Sequence, residues 1–395
     1  TPVQLIVFGY FVFVMMGGGL LGLPFSLKPG VRLSPMAALF TATSAVSVTG
    51  LAVANAPDTF SLTGRIILVF LIQFGGIGIM TLGTLLYVLL GNQVNLRNRM
   101  MIMVDQNQTS MQGLVNLMLF IFKIAIAFEL IGAVILTVYF WTYYDMSLLN
   151  AFGTGLFHSV SGFTNAGFDL FGSSLWKFSH DYLFQLVMSV LLMAGSIGFP
   201  VLLEIYAYIE AIRKGRNFRF SLYTKLTTVT FGLLLAGGFV FCLLSEMNGS
   251  LSGLPWYQKA AVSMFNSLNT RSGGFSSFDM RAFGEATLIF FCLLMFIGGS
   301  PSSCGGGIRT TTFAVVMLSL VSSLRGRSTV KIFHRELFDN DILKAFTVFM
   351  IAFVLVCASV ILLLELEPFS ATEIVFEVCS AFGTTGLSMG ITGEL

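Results

Sequence analysis

Charged residues are scarce in this chain of 395 residues, since Asp, Glu, Lys and Arg together make up only 10% of it. An ordinary soluble domain has about 25%. The shortage excludes a typical water-soluble protein, and the 55% of hydrophobic residues assigns the chain to a membrane.

Histidine and cysteine are also few, with three and five copies respectively. The cysteines form no CxxC pair and no cluster with histidine, which excludes a disulfide framework and disfavours a metal site. No nucleophile and base stand at a catalytic spacing. We therefore expect neither an enzyme nor a bound cofactor in this chain.

Long apolar runs are abundant. A helix that spans a bilayer needs about 20 mainly apolar residues, and seven runs meet this need: 3–25, 63–90, 114–141, 182–209, 222–245, 286–321 and 342–364. The first run lacks the small-residue cleavage pattern of a signal peptide and is interpreted as a span. The sequence predicts a multi-pass protein of the cell membrane, surrounded by lipid.

Basic residues concentrate in three links between these runs, which hold eleven of the 21 lysines and arginines. Positively charged loops resist translocation, so the links are expected to be cytoplasmic. Binding of nucleic acid is disfavoured because each basic link lies between hydrophobic spans. The links are 91–110, with Arg97 and Arg99; 211–225, with Arg213, Lys214, Arg216, Arg219 and Lys225; and 323–337, with Arg325, Arg327, Lys331 and Arg335.

Four short segments resemble one another: SVTGL, TNAGF, RSGGF and GTTGL. Their glycines, Gly50, Gly167, Gly274 and Gly386, are separated by 117, 107 and 112 residues. A regular period indicates one supersecondary unit used repeatedly. The predicted units are residues 1–90, 91–212, 213–323 and 324–395.

A short helix is predicted before each glycine segment. Ser34, Ser147, Pro255 and Ser370 supply helix-start signals, and Glu373 completes a capping-box spacing with Ser370. Helices of about 10 to 14 residues are too short to cross a bilayer and are typical of re-entrant segments. The fold class is therefore an all-α polytopic membrane protein with four fused membrane-pore-membrane repeats and pseudo-fourfold symmetry around a central pore.

Irregular backbone at membrane depth must be buried in protein or line water. Four such loops should converge on a pore, where the carboxyl ends of the short helices favour a cation. Packing or turn glycines are the alternative interpretation. The predicted ion-coordinating filter residues are Val48, Thr49, Gly50, Asn165, Ala166, Gly167, Ser272, Gly273, Gly274, Thr384, Thr385 and Gly386.

NTRSGGF at 269–275 and FGTTGLS at 382–388 resemble the Trk/Ktr/HKT superfamily of potassium transporters. Within it the chain is most similar to the Ktr membrane subunits of the KtrB type. The resemblance implies a filter that binds potassium, sodium-dependent activity, a homodimer, and a cytosolic ring of nucleotide-binding regulatory subunits (KtrA-like). Only nine residues follow Gly386, so the second span of the fourth unit is expected to be absent from the chain.

The run from 286 to 321 is interrupted by GGSPSSCGGGIRTTT at 298–312. Its glycines, proline and hydroxyl side chains cannot continue a helix in lipid. The resemblance makes this segment an intramembrane gate, and a fixed kink is the alternative. The predicted gate residues are Ser300, Pro301, Gly305, Gly306, Gly307 and Arg309.

An alternating-access cation carrier is the competing function, because broken helices also occur in carriers. The interpretation as a pore rests on only one span being interrupted. Arg271 is expected to brace the filter through carbonyl and carboxylate bonds. Glu129 and Glu204 are intramembrane carboxylates without an assigned role.

Overall fold

The computed structural model describes residues 2–78, 81, 83, 96–105, 113–327, 329–333 and 335–394. The predicted boundary between the first two units, at residue 90, and part of the first basic link lie outside the described residues. The account below concerns the described residues only.

Unit 1 consists of two spans around a short helix. The spans are Pro2–Gly22 and Leu62–Ile77, and the short helix is Pro35–Val46. Ala37 N donates to Ser34 Oγ over 3.1 Å, so the predicted serine cap is confirmed. A single helical turn, Ala56–Thr59, precedes the second span.

Unit 2 follows the same plan but contains a break that the sequence analysis missed. Its helices are Leu96–Asp105, Leu114–Tyr143, the short helix Leu148–Phe163, and the pair Tyr182–Ser196 and Phe199–Arg213. The last two are bent by 102° across Gly198. The prediction that only one span is interrupted is therefore wrong. Ser147 stands at the N-cap of the short helix, but its side chain makes no cap hydrogen bond.

Unit 3 contains the predicted interruption. Its helices are Leu222–Glu246, the short helix Trp256–Asn269, Glu285–Ile297 and Thr310–Leu324. Pro255 occupies the N-cap position, one residue before the first helical position that the sequence suggested. The segment between residues 297 and 310 is not helical, as predicted.

Unit 4 begins after the third basic link. That link holds a two-stranded antiparallel hairpin, Lys331–Ile332 with Arg335–Glu336, which is the only sheet among the described residues. The span Asp339–Leu366 leads to the short helix Ala371–Phe382. The predicted capping box is confirmed, because Glu373 N donates to Ser370 Oγ (3.3 Å) and Ser370 N donates to Glu373 Oε2 (3.1 Å).

Four described helices are long and apolar enough to cross a bilayer, and the bent pair of unit 2 gives a fifth. The remaining predicted spans, in units 1 and 3, are built from shorter apolar helices of 13 to 16 residues. Residues 79–90 of the predicted second span lie outside the described residues, apart from Thr81 and Gly83. The chain is thus a multi-pass, mainly helical membrane protein.

Neighbouring units share their hydrophobic cores. Ala42 and Ala45 of the unit 1 short helix pack in one cluster with Leu68 of the second span and with Phe157 and Val160 of unit 2. Because the short helices are enclosed by spans, their carboxyl ends deliver the glycine loops to the middle of the protein.

Candidate functional site

The four loop glycines meet in a closed ring, which we call the four-glycine ring. A Cβ atom at Gly50 would lie 3.1 Å from the Gly167 Cα, and one at Gly167 would lie 2.8 Å from the Gly274 Cα. A Cβ atom at Gly386 would lie 3.2 Å from the Gly274 Cα and 3.1 Å from the Gly50 Cα. The sequence period has therefore brought together the four positions that it singled out.

Carbonyl oxygens of the residues before the glycines face this ring. Cβ atoms at Gly50, Gly274 and Gly386 would approach the carbonyl oxygens of Ala166, Thr385 and Thr49 to 2.5, 2.7 and 2.2 Å. Side chains at the glycine positions would displace these oxygens. Glycine is thus required by the close approach of four backbones, which also explains why a side chain is absent at each position.

Each loop has the same unusual backbone. The residue two positions before the glycine has a positive φ in all four loops: 56° at Val48, 60° at Asn165, 69° at Ser272 and 45° at Thr384. The ring glycines also have positive φ, whereas the residues between do not. Alternation of this kind turns successive peptide groups to one side. Positive φ costs a non-glycine residue roughly 1–2 kcal/mol, and such strain clusters at functional sites.

A serine six residues before the glycine supports three of the loops. Gly50 N donates to Ser44 Oγ and Gly386 N donates to Ser380 Oγ, each over 3.1 Å. Ser161 Oγ instead donates to the Phe168 carbonyl over 2.8 Å. Sequence reasoning missed these supports, although aligning the four repeats on their glycines would have found them.

A cavity of about 360 Å³ opens on the four-glycine ring and is lined by all four glycines. Asp169 and Asp279 also line it, which agrees with an acidic entrance for cations. Arg281 lines it as well, a basic residue that the sequence analysis did not single out. Its Nε donates to the Met389 carbonyl, so the guanidinium is tied to the loop of unit 4.

The interrupted span of unit 3 forms a looped segment, residues 298–309, which we call the unit 3 loop. Its two ends are joined by backbone hydrogen bonds, Gly299 N to Gly306 O (3.0 Å) and Arg309 N to Ile297 O (3.0 Å). Arg309 Nη1 donates to the Ser300 carbonyl over 3.3 Å and to the Gly305 carbonyl. The predicted gate residues therefore belong to one compact loop, and Arg309 binds its carbonyls instead of a carboxylate.

The unit 3 loop lies against the residues that lead into the four-glycine ring. A Cβ atom at Gly305 would lie 2.8 Å from Ser272 Cβ, and one at Gly306 would lie 2.5 Å from Thr384 Oγ1. Because Ser272 and Thr384 precede their ring glycines, the loop touches the ring on the side of the short-helix ends.

The same loop is fastened to unit 2 and to the start of unit 3. Ser300 N donates to Ser196 O over 3.0 Å, and Phe199 N donates to Ser302 O over 2.8 Å, so the break in unit 2 holds the loop. Tyr223 Oη donates to the Pro301 carbonyl over 2.6 Å. A cavity of about 170 Å³ adjoins these contacts.

Breaks recur at one position in three units. Gly78, Gly198 and Gly298 end their helices with φ of 94°, 101° and 68°. The sequence carries a signal for two of these breaks, GGIG at 75–78 and GSIG at 195–198. Both motifs are embedded in apolar runs, which is why hydropathy alone concealed them.

Arg271 is 1% exposed and its Nη2 donates to the Leu294 carbonyl of the neighbouring span. The predicted carbonyl brace is present, but no carboxylate among the described residues bonds to it. Glu204 accepts from Ser221 N over 3.0 Å at the start of the unit 3 span, which gives it a positioning role.

Comparison with known proteins follows from this geometry. The TrkH family model, described as a cation transport protein, matches residues 22–395. Ktr system potassium uptake protein D of Bacillus subtilis (strain 168) is 47% identical over 395 residues, which are 100% of this chain and 87% of that protein. Potassium/sodium uptake protein NtpJ of Enterococcus hirae is 34% identical, again over 100% of this chain and 87% of that protein.

The crystal structure of the potassium transporter TrkH from Vibrio parahaemolyticus has the same fold. It superposes with a TM-score of 0.75 at 19% identity, covering 100% of this chain and 78% of that one. The resemblance found in the sequence and the predicted four-repeat fold class are both confirmed. The chain belongs to the TrkH family of cation transport proteins.

Proposed function

We propose that this protein takes up potassium by conducting it through the four-glycine ring, which acts as the selectivity filter. The observation that carries the proposal is the ring itself: four loops with the same alternating backbone, whose carbonyl oxygens approach one another's glycines. Filters of this kind replace the hydration shell of an ion with carbonyl oxygens. The names of the relatives above, which describe potassium uptake, support potassium as the ion.

The experiment changes ring glycines and measures ion preference. Gly50→Ser and Gly274→Ser place a hydroxymethyl group where the next backbone lies, at positive φ of 90° and 76°. We expect both variants to lose discrimination of potassium over sodium in uptake competition. Gly153→Ser is the control, because a side chain there meets no atom within 4 Å. Unchanged preference in both ring variants would refute the filter assignment.

We further propose that the unit 3 loop is the gate. It is the segment that contacts the lead-in residues of two filter loops, and its fastening depends on a few polar contacts from Ser196, Phe199 and Tyr223. Release of these contacts would free the path below the filter. A fixed kink would need no hydrogen bond from a tyrosine at the edge of a basic link.

The regulatory partner is proposed on the same basis. We infer that the basic links lie in the cytoplasm and receive a ring of nucleotide-binding subunits, and that the protein works as a homodimer with sodium as an activator. The Ktr system names of the relatives support a membrane subunit that works with further components. Tyr223, only a few residues beyond the basic residues of the 211–225 link, offers a short route from that partner to the gate.

An alternating-access carrier is the second candidate, and the additional break at Gly198 favours it more than the sequence did. Paired breaks in inverted halves are typical of carriers. Here the breaks at Gly78, Gly198 and Gly298 recur in parallel repeats, so the pore remains the better interpretation. Single-channel currents would distinguish the pore, since a carrier cycle is far too slow to produce them.

A further inference from the structure

A buried carboxylate lies behind the four-glycine ring, between units 1 and 2. Glu129, near the middle of the Leu114–Tyr143 span, is 3% exposed. Gln73 of the unit 1 span donates from Nε2 to Glu129 Oε2 over 2.9 Å. The Ser159 hydroxyl of the unit 2 short helix donates to the Glu129 main-chain carbonyl over 2.7 Å. Three elements thus converge on this carboxylate.

Two acceptor oxygens in this cluster are unsatisfied. Glu129 Oε1 and Gln73 Oε1 are buried and accept no hydrogen bond from the described residues. No lysine, arginine or histidine compensates the charge, since the only ion pair among the described residues joins Lys214 and Glu210. An uncompensated carboxylate at membrane depth costs several kcal/mol. Both oxygens therefore lack the same thing, a positive charge.

The surroundings add negative potential. Gly75, two residues after Gln73, packs so closely on the end of the unit 1 short helix that a Cβ atom would lie 2.2 Å from Val46 O. Gly76 packs in the same way on Thr164, which caps the unit 2 short helix. Two helix carboxyl ends, each with about half a negative charge, thus point towards this region.

We propose that Glu129 and Gln73 form a second cation site, outside the conduction path, for a monovalent cation held by the carboxylate and the amide oxygen. One carboxylate matches a single positive charge, whereas calcium and magnesium sites recruit more anionic or water ligands. The site links the second span of unit 1 to the first span of unit 2. Its occupancy would hold two filter-bearing units together.

A proton on Glu129 is the competing explanation. It would neutralise the carboxylate but leave the Gln73 oxygen without a positive partner unless the hydroxyl turned towards it. A cation satisfies both oxygens at once. The two explanations differ in what the protein responds to, which is salt composition in one case and pH in the other.

The test is thermal unfolding of the purified full chain at constant ionic strength and pH 8, with choline chloride replaced stepwise by sodium, lithium or potassium chloride. We expect saturable stabilisation by sodium, the probe ion, in the wild type. Glu129→Gln should abolish this shift, and Gln73→Leu should move it to higher sodium concentration at least tenfold. Glu246→Gln is the matched control, because that carboxylate is 2% exposed and accepts hydrogen bonds from Thr287, Ser250 and Gly284.

Three outcomes would overturn the site: a sodium shift that survives in both variants, no sodium shift in the wild type, or a wild-type response that follows pH and ignores sodium. If Glu129→Gln fails to fold, Gln73→Leu and direct binding of radioactive sodium decide the question. A potassium-dependent shift that persists in Glu129→Gln but is lost in Gly50→Ser would leave the proposed filter intact. Failure of this site is thereby separable from failure of the proposed function.

Discussion

Replacing Tyr223 with phenylalanine is the mildest way to release the unit 3 loop. The substitution removes one hydroxyl, which donates to the Pro301 carbonyl over 2.6 Å, and keeps the aromatic ring. The Phe199 and Ser196 contacts to the loop remain in place. If the loop is the gate, the variant weakens one of its fastenings while leaving the four-glycine ring untouched.

The size of the effect follows from one hydrogen bond. Its net contribution is about 0.5–1.5 kcal/mol, which corresponds to a roughly 2- to 13-fold increase in the ratio of released to fastened loop, since about 1.4 kcal/mol is a factor of ten. Because the fastened state dominates in this account, potassium flux should rise by the same factor. The preference for potassium over sodium should not change.

Flux is measured in reconstituted vesicles without any regulatory partner and is expressed per folded protein, with thermal stability followed in parallel. Tyr257→Phe is the control, because Tyr257 is 48% exposed and lies on the unit 3 short helix, away from the loop. Equal flux in Tyr223→Phe and wild type at unchanged stability would contradict a gating role for this contact. Increased flux with a lost potassium preference would mean that the loop supports the filter instead of closing it.

The remaining predictions concern the partner and the helix caps. Reversal of the basic charges in both 213–219 and 325–335 should abolish co-purification of a cytosolic regulatory complex, and survival of the complex would locate the contact elsewhere. Ser34→Ala should lower the free energy of unfolding by about 1 kcal/mol, because Ala37 N loses its acceptor. Ser147→Ala should change thermal stability much less, since the Ser147 side chain makes no cap bond; equal losses in the two variants would contradict the capping argument.

Features that repeat or depend on local chemistry could be predicted from the sequence. The spacing of the four glycines found the ring, because a close approach of four backbones admits no side chain at any of them. The caps at Ser34 and Ser370 were found because a serine before a helix acts within its own turn. Both kinds of signal are carried by residue types that have few other uses at such positions.

Features imposed by neighbouring units could not be predicted. Val48 and Thr384 are β-branched residues with positive φ, a conformation that their local sequence disfavours and that the adjoining loops must enforce. The break at Gly198 was hidden because an apolar run has the same hydropathy whether it is straight or bent by 102°. The orphaned oxygens of Glu129 and Gln73 belong to residues 56 positions apart, a pairing that no sequence period announces.

The departure of unit 3 from the common pattern bears on how a fourfold ring could be gated. Leu268 stands where the other units carry a serine, and Asn269 Oδ1 instead accepts from Phe275 N over 3.0 Å. The inserted loop then contacts Ser272 of its own unit and Thr384 of the next. Four units share one axis, so a single obstruction suffices to close it. An insertion in one unit can therefore supply the gate while the other three retain the compact loop that the filter requires.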